Sequence, residues 1–509
     1  MLAAGQEGRT MKLDISHLLL ADPAAGWGCS AAGCGAPADH ESHQQPARYT
    51  PPARAHADPQ DGAGMLHWNL FAYPVAIDSR RYAFLTDVRS VLAVDEATFG
   101  ALQEARGGPV PDGIPADRAK RLLELGLVRR EPARRQFEAV FSHQKQAPQE
   151  NKLLHLITSY TCNLTCSYCF MLADLGKHGK KLLSFEDAKK GIDLYFQAPY
   201  APDSVIHFYG GEPLLHPQLI DDSLTYIHQH YCDTALPKII TNGTLHGPRV
   251  LDLLRKYNFD LSVSMDGDRQ AHDVFRVDHR GKSTFAKTVA GIRAFQEIGY
   301  EPKVLITVGE HNIRRLPEVV SFVLGLRPHA IALNFPRELP EADTGLDGEA
   351  ADAGFWVEQY ERCLELCFEQ HIPELYFADM LFAYLSGEPV LSPCAACGSQ
   401  VSVGPGAQVG PCQAFVAAGM FSQPAEQYEQ QDPGGPFAPW RNVSKATSQK
   451  CSSCPISAIC GGDCSFDRYN RTGSLMEPLP FHCDLRLRMA DHLVRRLVAG
   501  QPAGFAAIG

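Results

Sequence analysis

Eleven of the sixteen cysteines in this 509-residue chain fall into two groups, and that spacing constrains the chain more than any other feature. Three stand close together in Cys162-Asn-Leu-Thr-Cys166-Ser-Tyr-Cys169, and eight more lie between Cys394 and Cys483. Disulfides would explain such a density in a secreted chain. The N-terminus, however, offers only a short apolar patch, Ile15 to Ala21, between acidic residues, without the basic start and longer apolar core of a secretion signal. A cytoplasmic location is therefore expected, where thiols stay reduced and clustered cysteines mean metal.

Bulk properties narrow the partners. A net charge of −11 argues against nucleic acid, which calls for a basic surface field. No apolar run reaches membrane-spanning length, so no membrane partner is expected. Hydrophobic residues at 45% and charged residues at 21% suit a globular chain with enough length for several domains.

Residues 1–64, rich in Ala, Gly, Pro, His and Asp, read as a disordered segment. Residues 65–135 read as a small domain. Strand-like Leu70–Ile77, Tyr82–Thr86 and Ser90–Val94 are followed by helix-like Asp95–Ala105 and Asp117–Val128, a winged-helix-like order. Residues 150–340 alternate strand and helix. The strands read as Leu153–Thr158, Ser204–Tyr209, Lys238–Thr241, Phe259–Met265, Lys303–Val308 and Ala330–Asn334, and six such units imply a parallel α/β sheet, open or curved into part of a barrel. In either form the loops after the strands carry the chemistry. Residues 341–389 read as a helical bridge, 390–490 as a loop-rich cysteine region ending in a helix, and 491–509 as a tail.

The triad follows the first strand of the alternating region. Three thiolates on a four-iron cluster leave one iron without a protein ligand, free to bind a small molecule. A zinc site is the alternative, but zinc asks for four ligands and the nearest further candidate is His178. The Cys162/Cys166/Cys169 spacing resembles the signature of the radical S-adenosylmethionine (SAM) superfamily. That resemblance implies a partial (β/α)6 TIM-like barrel, a SAM-binding [4Fe–4S] cluster and a 5′-deoxyadenosyl radical. Gly210-Gly211-Glu212-Pro213, one strand later, resembles the family stretch that holds the SAM amino group. By the same resemblance Tyr168, Asn242, Ser264 and Asp266 line the SAM pocket, with Arg276 a further candidate; turn chemistry at Asn242-Gly243 and Asp266-Gly267 is the plainer reading.

Cys451-x2-Cys454-x5-Cys460-x3-Cys464, followed by Cys483 and preceded by Cys394, Cys397 and Cys412, resembles the SPASM extension of radical SAM proteins. The resemblance implies two auxiliary [4Fe–4S] clusters, three in all with the first. One would be held by Cys394, Cys397, Cys412 and Cys464, the other by Cys451, Cys454, Cys460 and Cys483. Gly406 lies one residue farther from Cys412 than the family pattern. A pair of zinc sites is the alternative. Cys363 and Cys367, four apart, read as small core residues, and Cys29, Cys34 and Cys232 carry no assignment.

Residues 65–135 resemble the peptide-recognition domain of maturases of ribosomally made peptides, which adds the peptide as a strand to its sheet edge. The expected function is thus oxidative modification of a precursor peptide, a thioether or other side-chain crosslink, with flavodoxin or ferredoxin as electron donor. Maturation of an anaerobic sulfatase or of a quinohaemoprotein amine dehydrogenase is the alternative within enzymes, and a non-catalytic iron–sulfur carrier or scaffold the alternative outside them. Sulfatase maturases usually carry Asp directly after the cysteine equivalent to Cys412, where this chain has Gln413. No residue is singled out as catalytic acid or base.

Overall fold

The computed structural model describes residues 65–141, 150–171, 182–231, 235–334, 353–392, 394–428, 435–441 and 443–499. The expectations for residues 1–64, for Cys29, Cys34, Cys232 and His178, and for 500–509 lie outside the described residues.

The N-terminal unit is built on a hairpin of antiparallel strands. Strands Ala72–Ile77, Arg80–Leu85 and Ser90–Ala93 form one sheet. Helix α1 (Glu96–Ala105) starts where the Asp95 carboxylate accepts the Thr98 N–H at 2.6 Å, a local N-cap. Helix α2 (Ala116–Glu124) is shorter than the Asp117–Val128 expected. Gly126, at φ +76°, turns the chain, and Val128–Arg129 then pairs with His67–Trp68 as a second, two-stranded sheet. Trp68, Leu85, Leu102, Leu122 and Leu127 close the core of this unit.

The central sheet runs in the order Ile331–Asn334, Lys303–Thr307, Asp260–Ser264, Leu236–Thr241, Tyr200–Gly210 and Asn151–Ser159, all parallel neighbours. Side chains alternate across it. Leu154, Leu156, Ile206 and Phe208 join the apolar core with Ile192 of helix Phe185–Gln197. On the opposite face the His155 and His207 rings lie against each other at a tilt of 47°, centroids 4.6 Å apart. Helices Pro217–His230, Pro248–Lys256, Phe285–Glu297 and Leu316–Leu324 cover the outer face between strands.

The cysteine-rich C-terminal region is joined to this sheet rather than set beside it. Strand Gln400–Gly404 pairs in parallel with Asn151–Ser159, placing Ser402 opposite His155, and Gln408–Gly410 and Gln423–Pro424 continue the sheet to nine strands among the described residues. Helices Ala353–Glu369 and Leu375–Ser386 lie between the two parts along the chain. The last helix runs Pro480–Ala499, so it carries Cys483 and crosses the 490/491 boundary expected for a tail. It also packs on the N-terminal sheet, where the Tyr73 hydroxyl donates to the Leu487 carbonyl at 3.5 Å.

Candidate active site

The triad occupies the loop that leaves the strand Asn151–Ser159. This loop is short of regular structure, so it must be held by its neighbours. Thr165 N–H donates to the Val277 carbonyl at 2.9 Å, Leu164 bridges to Asp278, and the His279 ring nitrogen Nε2 lies 2.8 Å from the Cys162 carbonyl. Asn163 donates to Thr244 Oγ1 and accepts from Asn242 Nδ2, both at 2.8 Å. Asn242 Nδ2 also reaches Cys162 Sγ at 3.8 Å. Cys166 is buried, while Cys162 and Cys169 are partly exposed.

The Gly210-Gly211 pair meets the loop's own backbone. Gly210 has φ +134°, and a Cβ on Gly211 would stand 2.1 Å from the Thr161 carbonyl oxygen. That closeness lets Gly211 N–H donate to Ser159 O at 2.9 Å and Glu212 N–H to Thr161 O at 3.0 Å. Glu212 is 1% exposed; its carboxylate accepts from Leu214 N–H (3.0 Å), Thr241 Oγ1–H (2.8 Å) and Asn242 N–H (2.7 Å). Burial pushes this carboxyl up to about 7 against those three donors. Glu212 thereby fastens the next strand end to the triad loop. Pro213 opens the short 3-10 turn Pro213–Leu215 behind it.

The other wall is a buried charge network. The Asp266 carboxylate is fully buried, 2.9 Å from Arg276 Nε and 2.6 Å from the Tyr168 hydroxyl, which donates to it. Its second oxygen accepts Thr307 N–H at 2.9 Å. Burial alone would raise this carboxyl, but the Arg276 guanidinium, with His311 and Tyr168, holds it well below the usual carboxylate range. Arg276 lies over the Tyr168 ring, 5.5 Å from its centroid. His311, which no sequence pattern singles out, stacks at 6.2 Å on Tyr168 and lies 3.7 Å from Asp266. Asn312 secures the turn by donating to the Asp266 and Thr307 carbonyls. Ser264 is half-buried at the end of its strand, opposite Leu305. Asp266 thus meets its surroundings through Tyr168 and Arg276.

The C-terminal cysteines separate into two neighbourhoods. Cys397, Cys412 and Cys464 share an apolar cluster with Phe170, Phe415, Trp440 and Phe466, and Cys169 of the triad packs against the same cluster. Cys394, exposed, neighbours Cys397 and Ser465. Cys451, Cys454, Cys460 and Cys483 instead line a cavity of about 430 Å³ whose walls include Lys445, Arg468 and Arg486 but, among acids, Asp463. The N-terminal unit supplies Tyr73, Pro74 and Arg106 to the same cavity. Cys363 and Cys367 are buried in the main core.

These donor sets suit iron–sulfur clusters. Burial pushes the Cys162 thiol up to about 11 and Cys166 to about 12, so thiolates there need positive charge close by, as iron provides. Among the described residues no three His, Cys, Asp or Glu side chains are gathered to hold one metal ion; cluster thiolates each meet a different iron and stand farther apart.

Comparison with known proteins follows this geometry. The radical SAM superfamily profile matches residues 156–323, the stretch holding the triad, Glu212 and Asp266. A serine-type anaerobic sulfatase-maturating enzyme of Bacteroides thetaiotaomicron is 26% identical over 350 residues, covering 63% of this chain and 84% of that protein. The antilisterial bacteriocin subtilosin biosynthesis protein AlbA of Bacillus subtilis is 24% identical over 311 residues, 60% of this chain and 65% of that one. The solved structure of native anSMEcpe with bound AdoMet superposes with a TM-score of 0.57 at 19% identity, covering 68% of this chain and 98% of the other, which is likeness of fold.

Proposed function

Residues 156–323 are a radical SAM domain, and from that premise we propose that the chain oxidatively modifies a peptide or protein substrate, forming a thioether or another side-chain crosslink. The observation that carries the reading is the continuity of cysteine chemistry across one apolar cluster. Cys169 of the triad and Cys397, Cys412 and Cys464 of the C-terminal region pack against the same aromatic residues, with Phe170 and Phe466 rings 5.8 Å apart. Packed aromatic side chains between the two thiol groups exclude water from the ground that separates them, as chemistry on a substrate radical would require.

Cys162, Cys166 and Cys169 would hold a [4Fe–4S] cluster, and SAM bound beside it would supply hydrogen-atom abstraction from a substrate carbon. The chain's residues bind and orient. Asn242 and Asn163 hold the triad loop, and Asp266 anchors Tyr168 and Arg276; with Gly210–Pro213 and Ser264 these residues would form the SAM pocket. Cys394, Cys397, Cys412 and Cys464 would hold one auxiliary cluster, and Cys451, Cys454, Cys460 and Cys483 another, in a SPASM-type domain at 390–490. The electropositive walls of the second cavity match an anionic cluster. Residues 65–135 would take the substrate peptide on the edge of the three-stranded sheet, in winged-helix fashion. A flavodoxin or ferredoxin would supply electrons, in the cytoplasm. Among the described residues no helix is long and apolar enough to cross a membrane.

A second reading, oxidation of a sulfatase Ser or Cys to formylglycine, is favoured by the B. thetaiotaomicron relative. Against it stands Gln413, whose amide oxygen accepts from Gln400 Nε2 at 3.2 Å and which cannot take a proton as a carboxylate does. The test is anaerobic co-expression with small peptides encoded beside the gene, and separately with a sulfatase-derived Ser or Cys peptide. Each uses the intact protein and Cys166→Ala. Loss of hydrogen pairs from a neighbouring peptide, only with the intact triad, supports crosslinking. Conversion of the sulfatase peptide to an aldehyde, with the neighbouring peptides unchanged, selects formylglycine formation instead.

A further inference from the structure

Lys445 is a charged residue that the reading above leaves unused. It is 4% exposed, and its ammonium donates to three backbone carbonyls, those of Ser457 at 2.8 Å, Val390 and Cys460. An ammonium has three N–H donors and no acceptor, so three carbonyls and no donor around the nitrogen select the charged form. No carboxylate among the described residues forms an ion pair with it. A buried cation without a carboxylate is costly to keep unless another negative charge stands nearby. The four thiols sharing its cavity are where such a charge would be.

Resting on the assignment of an auxiliary cluster to Cys451, Cys454, Cys460 and Cys483, we infer that Lys445 is the fixed positive charge that raises that cluster's reduction potential. A four-thiolate [4Fe–4S] centre is doubly negative when oxidised and triply negative after taking one electron, so a nearby cation stabilises the reduced form more. Low-dielectric surroundings keep this effect from being screened away. Lys445 also donates to the carbonyl of a ligand residue, Cys460, whose Sγ accepts Gly462 N–H at 3.2 Å. The ammonium is thus built into the back of the ligand loop. Lys450 lines the same cavity but is exposed, so water screens its charge. It serves as the internal control.

The experiment is an EPR-monitored redox titration of the full chain, anaerobically reconstituted, with the triad cysteines replaced to remove that signal. The signal of interest is the one that disappears in Cys454→Ala. In Lys445→Met its midpoint should fall so that, at a fixed potential, the reduced-to-oxidised ratio drops at least tenfold, a shift of about 59 mV for a one-electron couple. Lys445→Gln keeps amide donors for the carbonyls and should fall likewise, which keeps the midpoint readable if the Met variant loses its cluster. Lys445→Arg should stay near the parent, and Lys450→Met should move less. An unchanged midpoint in the Met and Gln variants with full iron content, or an equal shift in Lys450→Met, overturns the role of Lys445. Absence of any signal sensitive to Cys454→Ala overturns the cluster assignment itself.

Discussion

The triad region at the strand ends of the central sheet and the C-terminal cavity both gather thiols around a buried cation, yet they balance that cation differently. In the triad region Arg276 is paired with Asp266, and the carboxylate is further held by Tyr168 and Thr307. In the cavity Lys445 is surrounded by carbonyls alone. Arg276 is balanced by a side chain, whereas Lys445 has no carboxylate partner among the described residues and would be balanced by the proposed anionic cluster. The contrast teaches that a protein can prepare one cofactor site before the cofactor arrives and make another depend on it. Arg468 shows that the second region uses both devices, since it is itself paired with buried Asp463, which also accepts Leu479 N–H at 2.7 Å.

The largest effect follows from iron removal. Anaerobic chelation should leave the barrel strands protected from hydrogen exchange and strip protection from amides of residues 443–483, because Lys445 then loses its counter-charge and the cysteine loops lose their ligand. Equal loss of protection in the strands Leu236–Thr241 and Asp260–Ser264 would abolish the distinction between the two regions. A smaller but sharp effect is expected in the triad region. Asp266→Asn strands the Arg276 guanidinium, which is 8% exposed, and breaking a buried pair in this way costs about 3–5 kcal/mol. Chemical denaturation of the iron-loaded protein should show that loss, and Asp266→Asn with Arg276→Gln should recover part of it. A cost below about 1 kcal/mol would mean that the pair is solvated and Arg276 is not balanced by that side chain.

What could be read from the sequence divides along the same line. The superfamily resemblance is legible because its pattern is local: Cys162, Cys166 and Cys169 follow one apolar strand within eight residues, in the stretch that the profile matches. The six parallel strands were legible from alternation of apolar runs with helical periods, and their ends differ from expectation by a few residues at most. Long-range placement was not legible. Nothing in residues 400–404 announces that Val401 and Val403 will sit beside Leu154 and Leu156 as a seventh parallel strand, since a short apolar run has no address. The close approach of Gly210 and Gly211 to Ser159 and Thr161 of the chain itself is likewise invisible in the sequence. Lys445 and His311 escaped because one buried polar residue in a loop looks like any surface residue until its neighbours are known.

The seam between the two regions offers the finest discrimination. His155 lies on the barrel strand opposite Ser402 of the C-terminal strand, and it is 4% exposed. Burial, with Lys238 adding to it and Gln400 opposing, holds the ring down to about 3 from an ordinary 6.5. In the unfolded chain this histidine binds a proton as pH falls through about 6.5, while in the fold it stays neutral until about 3. The unfolded state therefore holds more protons inside that window. The stabilisation from the neutral buried ring is full above pH 6.5 and is lost as pH falls through the window, by about 1.4 kcal/mol per pH unit for one such group. His155→Gln removes the titration, so denaturation midpoints of the variant should decline less steeply between pH 6.5 and 4.5 than those of the parent. Equal slopes would place His155 in contact with water, and the strand Gln400–Gly404 would then be an edge resting on the barrel rather than part of its sheet.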